Sequence, residues 1–395
     1  MRPIVTICIP TSNRPELARM AVNAILDQWQ DGIEVLVLEN SADPVLSAED
    51  FARPSNIKIL RTGKLVSMPE NWERGISHAS GKYLAYFSDK DILVPGTLAK
   101  AIHLMREAAP IVLCYRKGVF RPDVEILHHY TCSGDTTEVQ TAPLLGSWFH
   151  DARHIHSAPM IYNSFISLEF VNDIRARSGK FFVGSSPDIC SGMLIAAYLR
   201  SYVQLDLMLT VAFSGAWSNG AAAMKHGMPK QFVSLFRENP FDRLGLPGTV
   251  SASVLEVLIS LRAEHPQAFA VGSVNWEAFI DRTYKEISVT TRSSADKRRE
   301  FMKFFGRRSV VPKIYAFKKL IKIAARHSLP AALTKTIDKL LGRFDGARLQ
   351  CQNVNGQAIA QEVAAWDDHN YRHSARAISI HDALRVAAAN NGVNQ

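Results

Sequence analysis

Long apolar runs are missing from this 395-residue chain. No stretch reaches the roughly 18 residues that a membrane-crossing helix needs, so no span is expected. Met1-Arg2-Pro3 leads straight toward a strand-like run, with no apolar core and cleavage site, so no signal peptide is expected. Cysteine is scarce: Cys8, Cys114, Cys132, Cys190 and Cys351 are odd in number, far apart and form no CxxC pair. That pattern argues against a disulfide framework and a zinc site, and for reduced thiols in a cytosolic protein. There is no internal repeat and no low-complexity tract. With 47% hydrophobic and 21% charged residues, the composition excludes a disordered chain.

Acidic residues are nearly absent from one segment. Between Lys297 and Arg348 fifteen lysines and arginines face only Glu300, Asp338 and Asp345, a surplus larger than the +9 of the whole chain. Val310, Ile314, Tyr315, Phe317, Leu320 and Ile321 interleave with Lys313, Lys318, Lys319 and Lys322. An interfacial helix on anionic lipid has this character. A polyanion is the other reading, but no nucleic-acid motif is present, so no nucleic-acid partner is expected.

The first third alternates strand and helix. Strands are expected at Ile4–Ile9, Ile33–Leu38, Ile57–Leu60, Lys82–Phe87 and Ile111–Tyr115. Helices are expected after Arg14, over Pro69–Ala79 with Gly81 as the stop, and from Pro95 to about Ala108. Asn13 and Glu16 have capping-box spacing, and Leu17, Met20, Ala21, Ala24 and Ile25 recur at helical intervals. This alternation predicts an α/β fold, a mostly parallel sheet with helices on both faces. Residues 116–180 are less regular, with a polar loop at 131–141. A helix follows Ser185-Ser186-Pro187-Asp188 to about Leu199, and Val203–Val211 is extended. Beyond residue 222 the pattern turns helical, over 250–261, 276–286 and 314–325. A domain boundary is drawn there, giving 1–222 and 223–395.

Asp89-Lys90-Asp91 ends the fourth strand. Two carboxylates one residue apart repel unless a cation lies between them. The carboxyl edge of such a sheet is where ligands bind. A divalent metal on a diphosphate is one answer; a solvated turn, balanced by Lys90, is the plainer one. Asp188 sits in the first turn of a helix, where an acidic residue suits the dipole; a general base is the functional alternative. Glu39 and Asn40 end the second strand, and Thr11, Asn13 and Arg14 follow the first; all read either as ordinary turn residues or as ligand contacts. His150, His154 and His156 lack a familiar metal-ligand spacing, although His154 or His156 could touch a substrate hydroxyl.

Taken in order, these pieces resemble family 2 glycosyltransferases over roughly residues 4–220. Val5-Thr-Ile-Cys-Ile-Pro-Thr-Ser-Asn-Arg14 is similar to their opening strand and nucleotide loop. Val35–Ser41 is similar to the second strand, and Ser67-Met-Pro-Glu-Asn-Trp-Glu73 and Ala79-Ser-Gly-Lys-Tyr83 to the approach to their metal-binding motif. Ser88–Gly96 fits the frame of that motif. Ser186-Pro-Asp-Ile189 and Ser214–Gly220 resemble acceptor-side segments. The resemblance implies the GT-A fold and inverting transfer of a sugar from a nucleotide donor, commonly UDP-linked, to a hydroxyl of a glycan or lipid-linked acceptor. It makes Asp188 the base. Pro10, Thr11, Asn13, Arg14, Glu39, Asn71, Asp89 and Lys90 become donor contacts, Asp89 and Asp91 metal ligands, and His154 and Trp217 acceptor contacts. Lys90 departs from the family, which usually has a metal-ligating aspartate there. Either Asp91 holds Mn²⁺ or Mg²⁺, or Lys90 itself offsets the diphosphate, so metal dependence is in doubt. The expected location is cytoplasmic, peripheral on the inner face of the membrane through 297–348, with room for an oligomer. The main alternative is an inactive, transferase-like scaffold at the membrane. A sugar nucleotidyltransferase would need a glycine-rich loop where Pro10-Thr-Ser-Asn13 stands.

Overall fold

The computed structural model describes residues 2–151, 158–214, 226–270, 274–303, 373–377 and 379–391. In order, they form β1 (Val5–Thr11), α1 (Pro15–Leu26), β2 (Ile33–Glu39), β3 (Ile57–Arg61), α2 (Met68–His78), β4 (Tyr83–Tyr86), β5 (Asp91–Leu93), α3 (Thr97–Glu107), β6 (Val112–Arg121), β7 (Ile126–His129), β8 (Thr136–Gln140), α4 (Ala142–Asp151), β9 (Ser164–Ser167), α5 (Leu168–Ser178), α6 (Pro187–Tyr198) and β10 (Ser201–Phe213). Two five-residue helices follow, at Lys230–Ser234 and Pro240–Leu244. Then come α7 (Val250–Glu264), α8 (Trp276–Val289), α9 (Ser294–Met302), β11 (His373–Arg376) and α10 (Ile380–Asn390).

The described strands join in one sheet, ordered β11-β7-β6-β9-β4-β1-β2-β3, with β10 beside β6 and also pairing β5 and β8. The sheet is parallel from β4 through β1 and β2 to β3. Beyond β4 it turns largely antiparallel: β9 runs against both β4 and β6, while β10 lies parallel to β6. It is therefore mixed rather than mostly parallel.

Every residue of β1 and β2 is buried, as expected of central strands covered on both faces. Val5, Ile7, Ile9, Val35 and Val37 pack with α1 and α3 on one face. Cys8, Leu36 and Leu38 point the other way, into a core shared with α2 and α4–α9. That second core joins residues from both sides of position 222. The carboxyl end also returns to the sheet. β11 pairs with β7, and Ala383 and Ala387 of α10 pack with Phe120, Leu127 and Met208.

Several local expectations are corrected. Arg14, not Asn13, is the N-cap of α1, and no side chain caps that helix. Asn13 adopts a left-handed φ of 55°; its amide donates to Ser41 Oγ at 2.9 Å, and its Oδ1 accepts from Ala42 N at 3.3 Å. Asn13 therefore ties the β1 loop to the β2 loop, which a capping role would forbid. The buried stripe of α1 is Ala18, Ala21, Val22, Ile25 and Leu26, rotated from the expected Leu17, Met20 and Ala24. The expected loop at 131–141 contains β8, a polar and largely exposed strand with no apolar alternation to betray it. His150 lies in the last turn of α4, where no helix was expected. The helix expected over 314–325 lies outside the described residues.

Among the described residues no helix is long and apolar enough to cross a membrane. Cys8, Cys114, Cys132 and Cys190 are buried free thiols. Desolvation raises the pKa of Cys114 to about 12, so it is no ready nucleophile.

Candidate active site

Because β1, β2 and β4 are parallel, their carboxyl ends share one edge. The β1 exit, Pro10–Arg14, meets the turn Ser88–Asp91 there. Thr11 Oγ donates to Asp89 Oδ2 at 2.9 Å, and Arg14 Nε lies 2.9 Å from the same oxygen. Asp89 is fully buried, and burial pushes its carboxyl above the usual range while Arg14 and Thr11 pull it back. Asp91, also buried, accepts from Ser88 N at 2.9 Å and from Lys117 Nζ at 2.6 Å. The Lys117 ammonium also lies 4.4 Å from the centre of the Tyr162 ring. Burial lowers the pKa of Lys90, and the nearby Arg14 adds to this; Asp89 and Asp91 oppose the shift.

In front of this edge lies a cavity of about 730 Å³. Pro10, Thr11, Asn13, Arg14, Asn71, Lys90, Asp91, Lys117 and Asp188 all line it. Two expected donor contacts stand back from the lining. Asp89 sits beneath Thr11 and Arg14. Glu39 accepts from Val45 N at 3.0 Å and Leu46 N at 3.3 Å and pairs with Arg61 at 3.2 Å, so its carboxylate organises the β2 loop. Its neighbour Asn40 does line the cavity, held by Val66 through both amide atoms. Asn71 donates to Leu38 O at 3.1 Å, while its buried Oδ1 has no hydrogen-bond partner. Asp188 is in the first turn of α6, after Pro187. His154, His156 and Trp217 lie outside the described residues.

Residues from later in the chain also line the cavity, among them the apolar Met228, Pro229, Phe232, Leu235 and Val250, and Met68 and Trp72 add to this apolar part. Trp72 is fixed by stacking on Tyr86, with ring centroids 4.9 Å apart.

For a divalent metal the turn leaves Asp91 Oδ1, which is buried at the cavity and has no hydrogen-bond partner. Each carboxylate of the turn already holds a protein cation, Arg14 on Asp89 and Lys117 on Asp91. Among the described residues no three His, Cys, Asp or Glu side chains are grouped to hold an ion. Mg²⁺ is ordinarily held by one or two carboxylates together with substrate phosphates and water, so Asp91 would be the residue to hold one beside a bound diphosphate. Four cations line the cavity: Arg14, Lys90, Arg116 and Lys117.

Lys117 was not foreseen from the sequence. A signal was there: Arg116-Lys117 follows the apolar run Ile111–Tyr115, and two adjacent cations at the end of a buried strand need a partner. The apolar wall gave none, since its residues are ordinary helix and loop residues until they are folded against the edge.

Residues 6–167 match the family model described as glycosyl transferase family 2. Over these residues the chain is similar to family 2 glycosyl transferases. No curated protein matches the sequence. Among solved structures, the fold is similar to S. aureus TarS 1–349 in complex with UDP-GlcNAc, with a TM-score of 0.51 at 12% identity, covering 90% of this chain and 95% of that one. TarS 1–349 in complex with UDP gives a TM-score of 0.46 at 11% identity, covering 94% and 93%. The chain has the α/β GT-A fold, and the described residues after β10 are mainly helical.

Proposed function

We propose that this protein moves a sugar from a nucleotide-diphosphate donor, UDP-linked, to an acceptor hydroxyl with inversion, and that Asp188 is the general base. The observation that carries this reading is the lining of one cavity by both the cationic donor edge and Asp188. The neighbouring TarS structure, in complex with UDP-GlcNAc, supports a UDP-sugar as donor.

In this reading the diphosphate lies against Arg14, Lys90 and Lys117. Asp89 and Thr11 hold Arg14 from below, and Asp91 holds Lys117. Asp188 takes the proton of the acceptor hydroxyl. The hydroxyl oxygen bonds to the anomeric carbon while the bond from that carbon to the β-phosphate oxygen breaks, and the electron pair leaves with the diphosphate. The fixed cations stabilise the charge that develops there.

A thermal-shift panel of UDP, GDP and CMP with their common sugar conjugates tests the donor. Binding to the folded state raises its melting temperature by mass action. A shift with UDP and a UDP-sugar is expected; no shift with any nucleotide would sink the reading and leave the scaffold alternative.

The acceptor in this reading is a glycan or lipid-linked hydroxyl, brought by contact of the basic segment with anionic lipid. Within the described part of that segment, Lys297 donates to Ser288 O, Arg299 pairs with Asp296, and Lys303 pairs with Asp242 and Glu300. Positions 304–348 lie outside the described residues. Co-sedimentation with phosphatidylglycerol vesicles that falls with salt is expected; equal binding to neutral phosphatidylcholine would remove the electrostatic part.

A further inference from the structure

We propose that Glu256, in the helical region after the transferase match, is a positioning residue for Asp188. The proposal rests on the reading of Asp188 as the base. Glu256 is on α7 and is fully buried. Its Oε2 accepts from the backbone amide of Ser185 at 2.7 Å, and its Oε1 accepts from Ser260 Oγ at 2.9 Å. Arg243 lies 3.6 Å from Oε1 and supplies the counter-charge.

Ser185 stands three residues before Asp188, at the entry to α6. That entry has little support of its own. Ser186 is the N-cap but makes no capping hydrogen bond, and Pro187 has no amide to donate. An uncapped helix start leaves its direction to outside contacts. Glu256 is such a contact. Gly184 permits it: its φ is 77°, and a Cβ there would lie 2.9 Å from Glu256 Oε2 and 3.1 Å from Val257 Cα. On the other side Glu73 accepts from Phe181 N and Phe182 N, and Cys190 Sγ accepts from Val183 N at 3.2 Å. The loop is therefore clamped from α2 and from α7 at once. Packing alone would be served by an apolar side chain, since burying a carboxylate is costly unless it is bonded and paired. The same helix reaches the cavity itself through Val250 and Ser253.

The test measures UDP release from UDP-glucose, UDP-galactose, UDP-GlcNAc and UDP-GalNAc, with UDP affinity by calorimetry, for E256A, E256Q, D188N and the E256A/D188N double variant. E256Q keeps a carbonyl acceptor of the same shape for Ser185 N. The expected result is a loss of roughly tenfold or more in kcat for E256A, with UDP affinity within about twofold of wild type and most of the rate restored in E256Q. In the D188N background E256A adds no further loss, because residues acting through one group are not additive. An equal loss in both backgrounds makes Glu256 a structural residue only. Should E256A fail to fold, E256Q/D188N against E256Q and D188N gives the same cycle. Unchanged turnover in D188N removes the base and this proposal with it. A D188N loss beside a wild-type-like E256A keeps the base and overturns the positioning. No release from any donor by wild type overturns both.

Discussion

The two walls of the cavity are built by opposite means. One wall is charged and comes from the ends of strands that are neighbours in the sheet: Thr11 and Arg14 after β1, Asp89–Asp91 after β4. The other part of the lining is largely apolar and comes from residues 228–250, on α7 and the short helices before it. The charged wall is held by ion pairs with little freedom, since Asp89 and Asp91 are buried and each is bonded to a cation. The apolar wall rests on packing. Charge-handling therefore belongs to the sheet edge, and shape belongs to the later region.

The largest effect should come where the walls meet. Asp188→Asn should cut transfer by a hundredfold or more while leaving UDP affinity nearly intact, as for removal of a general base. A matching loss of UDP affinity would make Asp188 part of the donor wall instead.

Lys117→Ala should act next most strongly, and on the donor wall alone. It removes one cation from the ligand and strands Asp91, a buried carboxylate, at a cost of about 3–5 kcal/mol of stability. UDP affinity should fall by roughly tenfold or more and the melting temperature should drop; unchanged UDP affinity would leave Lys117 as Asp91's partner only. Wild type should keep most of its activity in excess chelator. Complete loss there, with recovery on adding Mn²⁺, would return the role to a metal.

Lys90 gives the donor wall a pH signature. Its pKa is lowered by burial and Arg14, and a bound diphosphate would raise it again. UDP affinity should then be full below the free protein's Lys90 pKa and weaken as pH rises through it, earlier than for an ordinary lysine. A titration of UDP affinity against pH checks this; Lys90→Arg should move the decline to higher pH.

The smallest effect should come from the apolar wall. Phe232→Ala should raise the acceptor KM severalfold and leave UDP affinity unchanged. A change in UDP affinity equal to the change in KM would erase the distinction between the walls.

Much of the donor wall was legible before folding. Val5–Ile9 and Ile33–Leu38 are apolar runs interrupted only by Thr6 and Glu34, and the acidic turn after Tyr83–Tyr86 marks a strand's end. Asp188 was legible as a residue but not as a role, since an acidic first turn also suits a helix dipole. Glu39 and Asn40 show the opposite failure. They are neighbours at one strand end, and only the fold sends Asn40 to the cavity and Glu39 to the loop at 45–46. The β8 strand was hidden because a polar edge strand has no buried face to print on the sequence.

The sequence by itself determined the alternation of strand and helix, the parallel first half of the sheet and the cluster of charge at its edge. Each follows from local rules: apolar periodicity, turn residues and the meeting of like charges. The tertiary structure decided which cations hold which carboxylates. Lys117 meets Asp91 across 26 positions, and Glu256 meets Ser185 across 71. Local periodicity carries no information about such contacts, because they depend on how separate elements come to pack against one sheet.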